Sequence, residues 1–401
     1  MTLPPDKAKR YSGISREYRK PEYINLNPIQ RGGILSEAAR RALQEFGDGY
    51  SICDWCPAKT PRLDLIDRPP VREFLADLAE FLGMDVARVT TRCRESKFIV
   101  FRMLGWNGGC VVVDSLAHYS TYLAAELAGL EVLEVPHSGP PEYRVNLEAY
   151  AKKIEEAKRR FGGKPVAALL THVDSYYGNL NDARAVAKIC NEYEVPLVLN
   201  AAYTSGVMPV DGRSLGVDII VGSGHKSWAS SAPIGILALK GDLAEKILAR
   251  SRITGDWSGR SFQIKEFALL GCTVMGAPLA TLMASFPYVV ERVQRWEEEV
   301  RKAQYLVEQL ERIEGTRLLG VKPKMHTLIH VESEGFYKVS KSHKRRGFFL
   351  YDELKARGIV GIQPGLSRHF KLNTYGLTWE QVKYVAEAFQ EIARKYGLAI
   401  Y

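Results

Sequence analysis

Lys226 is the residue whose setting most clearly suggests covalent chemistry. It lies in the run Gly-Ser-Gly-His-Lys at 222–226, which follows an apolar stretch at 218–222. A lysine in a turn of small residues at a strand end stands where α/β sheets bind ligands. Lysine amines form Schiff bases with pyridoxal phosphate, and Ser223 and His225 offer hydrogen bonds to a cofactor phosphate. An ordinary loop lysine is the alternative.

Two upstream segments suit the rest of such a cofactor. The stretch 90–96 carries Cys93 and Arg94 and opens a helical pattern, where free backbone N–H groups and the helix dipole attract anions. His118 begins the helix that follows the apolar strand at 110–114. An imidazole there could stack on a pyridine ring, although a helix-capping histidine is the alternative.

Polar side chains also close two further apolar strands. Asp174 lies just after the run at 166–171, and Asn200 ends the run at 197–200. Because the carboxyl ends of parallel strands share one edge of a sheet, these residues and Lys226 are expected to border one crevice.

The cysteines divide into two groups. Cys53 and Cys56 form a Cys-X-X-Cys pair, which is compatible with a redox pair, half a zinc site, part of an iron–sulfur site or ordinary thiols. Cys93, Cys110 and Cys190 lie in helix or strand patterns, so they are expected to be structural, although Cys93 could border the cofactor phosphate.

Composition describes an ordinary globular chain. Its 401 residues are 46% hydrophobic and 25% charged, which excludes a disordered or fibrous protein. There is no apolar signal core near the first residue and no run of 18 apolar residues, so a cytoplasmic protein without membrane contact is expected. The net charge of +9 favours an anionic partner.

The order of elements predicts an α/β fold with a mainly parallel central sheet and a smaller C-terminal α+β domain. Apolar strand patterns at 110–114, 131–136, 166–171, 197–200 and 218–222 alternate with helical ones. One long helix is expected at 281–313 and a basic surface loop at 337–347, for which phosphate contacts with RNA are the alternative. The predicted domains are an N-terminal basic segment and substrate-side arm at 1–34, a large cofactor-binding domain at 35–280, and a linker helix with the small domain at 281–401.

The order of these motifs resembles the fold-type I pyridoxal-phosphate enzymes, above all the cysteine desulfurase branch. The resemblance is closer still to the O-phosphoseryl-tRNA:cysteinyl-tRNA synthase family and covers nearly the whole chain. It rests on the segments at 32–33, 47–56, 177–180, 222–226, 269–273 and 282–287.

This resemblance implies β-elimination of phosphate from phosphoserine on its tRNA(Cys), followed by addition of sulfur to give cysteine. It implies roles in catalysis or sulfur transfer for Lys226, His118, Arg94, Tyr119, Cys53, Cys56 and Cys272. It implies cofactor contacts for Cys93, Arg94, His118, Asp174, Asn200, Ser223, Gly224, His225, Lys226, Gly276 and Ala277. In the family, the cysteines equivalent to Cys53, Cys56 and Cys272 are associated with a persulfide or an iron–sulfur cluster.

The resemblance also implies partners. These are phosphoseryl-tRNA(Cys), a sulfur donor, a phosphoseryl-tRNA synthetase and a second copy of the chain that shares the active site through the 275–278 turn. Desulfurases carry an arginine for a free carboxylate, whereas the comparable stretch here contains Arg368 and Lys371 without a clear equivalent. A desulfurase-like enzyme acting on a free amino acid and a non-catalytic tRNA-binding subunit are the alternatives.

Overall fold

Apolar strands and amphipathic helices alternate along most of the chain. The computed structural model describes residues 22–29, 31–48, 51–52, 71–271 and 274–401. The strands in these ranges are β1 (Ile24–Asn25), β2 (Ser51–Ile52), β3 (Val86–Thr90), β4 (Cys110–Asp114), β5 (Glu131–Val135), β6 (Ala167–Thr171), β7 (Leu197–Asn200), β8 (Ile219–Ser223), β9 (Gly235–Leu239), β10 (Val274–Met275), β11 (Thr316–Leu319), β12 (Leu328–Ser333), β13 (Ile359–Val360) and β14 (His369–Asn373).

The helices surround and connect these strands. They are α1 (Glu37–Glu45), α2 (Val71–Phe81), α3 (Cys93–Leu104), α4 (Tyr119–Leu127), α5 (Ala149–Phe161), α6 (Ala183–Glu192), α7 (Gly212–Leu215), α8 (Gly224–Ser227), α9 (Gly241–Ile247), α10 (Gly276–Arg292), α11 (Trp296–Glu311), α12 (Glu334–Ser342), α13 (Phe348–Ala356) and α14 (Trp379–Lys395).

The central sheet has the strand order β3-β9-β8-β7-β6-β4-β5. The five neighbours β8, β7, β6, β4 and β5 are parallel, whereas β9 runs antiparallel to both β3 and β8. β4, β6, β7 and β8 are buried along their whole lengths, as expected for a sheet covered by helices on both faces. The predicted mainly parallel α/β sheet is confirmed.

A second, smaller unit is built on the antiparallel sheet β11-β12-β14. Its own apolar core contains Phe336, Phe349, Phe370 and Phe389. Leu26, from the N-terminal part of the chain, is also buried in that core, because β1 pairs in parallel with β13. The C-terminal α+β architecture is therefore as predicted, while the domain limits remain predictions.

Two local expectations were wrong. The expected single helix at 281–313 is two helices, α10 and α11, separated by a 3-10 turn at Val293–Arg295. The expected loop at 337–347 is helical up to Ser342, because Ser333 caps α12 and Phe336 and Val339 turn one face into the core. Basic residues on the outer face hid this helical periodicity.

No described helix combines the length and the apolar character needed to cross a membrane.

Lowering the pH is expected to destabilise the protein through His326. Burial lowers the pKa of this side chain to about 3, and its ring donates to Tyr203 O (3.0 Å) and accepts from Leu328 N (3.1 Å). In the unfolded chain this histidine is protonated below about pH 6.5, whereas in the folded chain it stays neutral down to about pH 3. The free energy of unfolding therefore falls as the pH drops below 6.5. Between pH 6.5 and 5 this costs about 2 kcal/mol.

Urea unfolding of the parent and His326→Gln between pH 7.5 and 5 measures this contribution. The variant is expected to show the smaller pH-dependent loss, whatever its stability at neutral pH. Parallel pH profiles for the two proteins would refute the assignment.

Candidate active site

A cavity of about 170 Å³ lies at the carboxyl edge of the central sheet. The ends of β6, β7 and β8 border it, together with the first turn of α3 and the residue before α4. Its lining residues are Arg92, Cys93, Arg94, Lys97, His118, Ser120, Thr171, Val173, Ser175, Asn200, Ala202, Tyr203, Ser223, His225, Lys226 and Pro233. The structure thus brings together seven of the predicted site residues: Cys93, Arg94, His118, Asn200, Ser223, His225 and Lys226.

Lys226 lies in α8, at the end of the buried strand β8. Its Nζ stands 4.6 Å from the centre of the Tyr203 ring. Burial, together with the positive charge of Arg94, lowers the pKa of the Lys226 amine, and Cys93 opposes the shift. A lysine whose pKa is depressed loses its proton more readily, as a nucleophile or base requires.

The turn that carries Lys226 is packed against a glycine pair. A Cβ atom on Gly33 would lie 1.8 Å from His225 O, and one on Gly32 would lie 2.8 Å from Lys226 O. Only glycine allows the 3-10 turn Arg31–Gly33 to approach the backbone this closely. The Gly-Gly motif of the sequence therefore allows the close packing that positions the turn carrying Lys226.

His118 caps α4 and lines the cavity at the same time. Its Nδ1 accepts from Ser120 N (3.2 Å) and lies 2.8 Å from Ser120 Oγ. Lys97 Nζ donates to that Ser120 oxygen at 2.8 Å, so the serine hydroxyl donates to Nδ1. These contacts place the imidazole proton on Nε2. Burial and the positive charge of Lys226, Lys97 and Arg94 lower the pKa of His118 to about 4.

The side of the cavity formed by α3 and α4 is cationic. Arg94 Nη2 donates to Tyr119 Oη at 2.7 Å, and the Tyr119 ring lies 4.2 Å from that of His118. Arg92, at the N-cap of α3, makes no side-chain cap bond, so the first turn keeps N–H groups for an anion. The cavity lining contains no Asp or Glu among the described residues. Such a site attracts phosphate.

Some predicted residues lie elsewhere. Asp174 is fully buried beneath the turn after β6, where its carboxylate accepts from the backbone N–H groups of Tyr176, Tyr177 and Asn179. Gly276 and Ala277 begin α10 and do not line the cavity of their own chain.

The three cysteines assigned to sulfur transfer, Cys53, Cys56 and Cys272, fall outside the described residues. Within the described ranges, no group of three potential metal-binding side chains occurs.

Sequence reasoning missed Lys97 as a site residue. Its side chain is 2% exposed, and burial lowers the pKa of its amine to about 8. Besides Ser120, it donates to Thr121 Oγ1 at 2.8 Å. The available signal was its spacing, because Lys97 lies one helical turn after Cys93 and therefore on the same face of α3.

Comparisons with known proteins identify the family of this chain. Residues 98–394 match the family described as O-phosphoseryl-tRNA(Sec) selenium transferase, SepSecS. An O-phospho-L-seryl-tRNA:Cys-tRNA synthase 2 of Archaeoglobus fulgidus is 57% identical over 94% of this chain and 96% of its own. The synthase of Methanopyrus kandleri is 54% identical over 98% and 99% of the two chains.

Solved structures give the same result. The structure of a complex between SepCysS and the N-terminal domain of SepCysE superposes with a TM-score of 0.87 at 47% identity, covering 98% of this chain and 100% of the other. A cysteine desulfurase of Thermococcus onnurineus shares the fold, with a TM-score of 0.74 at 19% identity over 93% and 95% of the chains. The chain therefore belongs to the SepSecS family of O-phosphoseryl-tRNA enzymes and, within it, to the O-phospho-L-seryl-tRNA:Cys-tRNA synthases.

Proposed function

We propose that this chain is a pyridoxal-phosphate-dependent transferase that converts phosphoserine esterified to tRNA(Cys) into cysteine on the same RNA. The observation that carries the proposal is the cavity in which Lys226 faces a cationic wall formed by Arg94 and Lys97. A lysine that can take the α-proton and cations that can hold a phosphate leaving group are the two requirements of β-elimination. Family membership supplies the substrate.

The cavity residues fit pyridoxal phosphate. Asn200 Oδ1 is buried without a hydrogen-bond partner, and the N–H of a protonated pyridine ring would supply the missing donor. His118 would lie against the ring, while Ser223 and His225 would hold the phosphate. Bound pyridoxal phosphate would supply an electron sink for the negative charge that develops at the substrate Cα. Lys226 would hold the cofactor and move the α-proton.

Asn200 replaces the aspartate that most fold-type I enzymes place opposite the pyridine nitrogen. A neutral amide stabilises positive charge on that nitrogen less than a carboxylate does. We infer that the weaker electron sink suffices because phosphate is a good leaving group. Acceleration of the reaction by Asn200→Asp, with unchanged products, would contradict this explanation.

Removing Arg94 is expected to weaken the hold on the substrate phosphoryl group. Arg94→Ala should lower kcat/KM roughly 10- to 100-fold, because a charge-assisted hydrogen bond to an anion contributes about 1.5–3 kcal/mol. Steady-state kinetics with phosphoseryl-tRNA measures the effect. Arg102→Ala, in the last turn of α3, where Arg102 stacks on Trp106 (4.1 Å), is the matched control. Equal kcat/KM values for the two variants would remove Arg94 from the site.

Sulfur delivery is assigned to Cys53, Cys56 and Cys272. This proposal is supported by a strand pairing next to the cysteines. Ile52 pairs with Val274; Ile52 precedes Cys53, and Val274 stands two residues after Cys272. The pairing of β2 with β10 therefore brings together described residues that lie close in sequence to Cys53 and Cys272. A cluster held by three thiolates would leave one iron open to sulfide, and a persulfide is the alternative carrier.

Replacing Cys53, Cys56 or Cys272 by serine is expected to block sulfur addition and spare elimination. Each variant should release phosphate from phosphoseryl-tRNA but form cysteine at least about tenfold more slowly, since the thiolate is the species that carries sulfur or binds iron. Phosphate release and cysteine formation are measured separately, with iron content. Cys190→Ala, at a buried position in α6, is the control. Parent-like cysteine formation by all three serine variants would refute the assignment.

The experiment that tests the function itself uses protein prepared without oxygen, phosphoseryl-tRNA(Cys) and sulfide. The amino acid on the RNA is then identified. Cysteine is the expected product. Unchanged phosphoserine despite bound cofactor, with sulfur released from free cysteine, would instead support a desulfurase. A protein that binds the RNA without cofactor and without turnover would be the non-catalytic subunit.

We also infer that the protein is a cytoplasmic homodimer. It is proposed to bind a sulfur donor and a phosphoseryl-tRNA synthetase. The region 250–271 exposes large apolar side chains, including Trp257 (95% exposed) and Leu270 (91%), and such patches mark interfaces. The 275–278 turn would then reach the partner's cofactor phosphate. Light scattering of the purified protein measures the mass, and a monomer would refute the shared site.

A further inference from the structure

A second cavity, of about 480 Å³, lies between the N-terminal segment and the small domain. This volume is within the range of ligand pockets, ~300–1,000 Å³. The stretches 25–29 and 361–366 form two of its walls, and the face of β12 and β14 forms another. Neither the cofactor nor the amino-acid part of the substrate accounts for this space, because both belong to the Lys226 cavity.

The two cavities are neighbours across a thin wall. Ser175 lines the Lys226 cavity, and its backbone oxygen accepts from Lys371 Nζ at 3.2 Å. Tyr176 O, the next carbonyl, accepts from His330 Nδ1 at 2.9 Å. Lys371 and His330 both line the second cavity. The turn at 175–176 therefore contacts side chains of the second cavity and, through Ser175, borders the site of chemistry.

The lining suits a nucleoside. Tyr351, His330 and His369 offer aromatic faces, and Asn27 and Gln363 offer amides. Side-chain amides pair with the donor and acceptor edge of adenine, and bases stack on aromatic rings. The lining includes no carboxylate among the described residues, so nothing on it repels phosphate.

His330 is held as a neutral platform. Burial, with Lys371 and His369 nearby, lowers the pKa of His330 to about 4. Its ring stacks on Tyr177 (5.5 Å, 14°), which in turn stacks on Tyr143 (3.8 Å, 5°). The second cavity thus lies at the end of a fixed aromatic stack, a rigid surface that costs little entropy to present to a base.

Exposed cations lie in the segment that leads to the cavity wall. The basic segment 338–346 carries Lys338, Lys341, Lys344, Arg345 and Arg346, all exposed. It joins the cavity wall directly, because a Cβ on Gly347 would lie 2.1 Å from Gly365 O. Cations in this position suit the phosphates of an RNA strand that leaves the cavity.

We propose that this second cavity binds the 3′-terminal adenosine of the aminoacylated RNA, whose ribose carries the amino acid across the wall into the Lys226 cavity. The proposal rests on the proposed function, since only an ester-linked substrate brings a nucleoside to this place. A free amino acid would leave the cavity without a ligand.

The test measures RNA binding without any reaction. A 5′-labelled, uncharged RNA hairpin ending in single-stranded CCA is titrated with the pyridoxal-phosphate-loaded protein, alongside the same hairpin lacking only the terminal base. The parent is expected to bind the intact RNA at least about fivefold more tightly, because stacking contributes roughly 1–3 kcal/mol per base. Equal affinities would overturn the proposal.

Variants of the cavity lining then test whether the terminal adenine binds in the second cavity. His330→Ala should bind the two hairpins within about twofold of each other, because the ring that the aromatic stack presents to the base is lost. Tyr401→Ala, with an exposed C-terminal ring (76%), should keep the parent's preference. Gln363→Ala, at an exposed position, is the second lining variant should His330→Ala fail to fold. Full discrimination by both lining variants would place the adenosine elsewhere.

The two proposals fail in different ways. Conversion of phosphoserine to cysteine on tRNA is measured with the same protein. Conversion by a parent that ignores the terminal base would overturn the adenosine site and leave the function intact. Base discrimination without conversion would leave the adenosine site supported and remove the proposed reaction.

Discussion

Lys226→Ala is expected to lower kcat for cysteine formation by at least about 10³-fold. A positioned proton-transfer group contributes typically about 10²–10⁴-fold, and the same amine is also the covalent anchor for the cofactor. The other lysine of the described lining cannot substitute. The amine of Lys97, the other lysine in the lining, is held by Ser120 and Thr121. Product analysis on the RNA, with single-turnover rates, measures the loss.

The matched control is Lys188→Ala, an exposed lysine on α6, which should retain parent activity. Binding of uncharged tRNA is measured for both variants, and Lys226→Ala should bind it as the parent does, because the lysine acts on the amino acid. Turnover by Lys226→Ala within about tenfold of the parent, far less than a lost base requires, would exclude Lys226 as the base and the anchor.

Arg292→Met is expected to cost about 3–5 kcal/mol of unfolding free energy. Arg292 is 4% exposed at the end of α10. Its Nε donates to Gly206 O at 2.7 Å, and its Nη2 donates to Gly32 O at 3.0 Å and to Ser227 O. Methionine fills similar space without donors, so three buried carbonyls would lose this partner.

Urea denaturation with an unchanged slope measures this loss as a shift in midpoint. Arg295→Met is the control, because Arg295 is 53% exposed and pairs with exposed Glu291, an interaction worth about 0–1 kcal/mol. Since Ser227 follows Lys226, Arg292→Met should also lower kcat in the folded protein. Equal midpoints for the two variants would show that the segments around Gly32, Gly206 and Ser227 hold together without Arg292.

Much of the fold was predictable because buried parallel strands are uniformly apolar. The runs that became β4, β6, β7 and β8 are recognisable from sequence for that reason. β3 was not predicted, because Arg88 interrupts its apolar pattern. That arginine pairs with Glu266, 178 positions away. Interactions between such distant positions leave no periodic signal.

In the candidate site, too, some residues were predictable from local sequence pattern and others were not. Lys226, Asn200 and His118 were predictable, because each stands next to an apolar run whose end had to face the crevice. Lys97 was missed despite its spacing from Cys93, because a lysine inside a helix usually points to solvent. Its burial depends on Ser120 and Thr121, which reach it from the next helix, α4.

By itself, the sequence determined that this is an α/β protein with a lysine, a histidine and an arginine at neighbouring strand and helix ends, because local periodicity and strand order fix those positions. Only the tertiary structure decided the tautomer of His118, the burial of Lys97 and the second cavity. The tautomer depends on a hydrogen-bonded path from Lys97 through Ser120, and the cavity depends on β1 crossing to pair with β13. Contacts between residues far apart in the chain carry this information, since each forms only after the layers have packed.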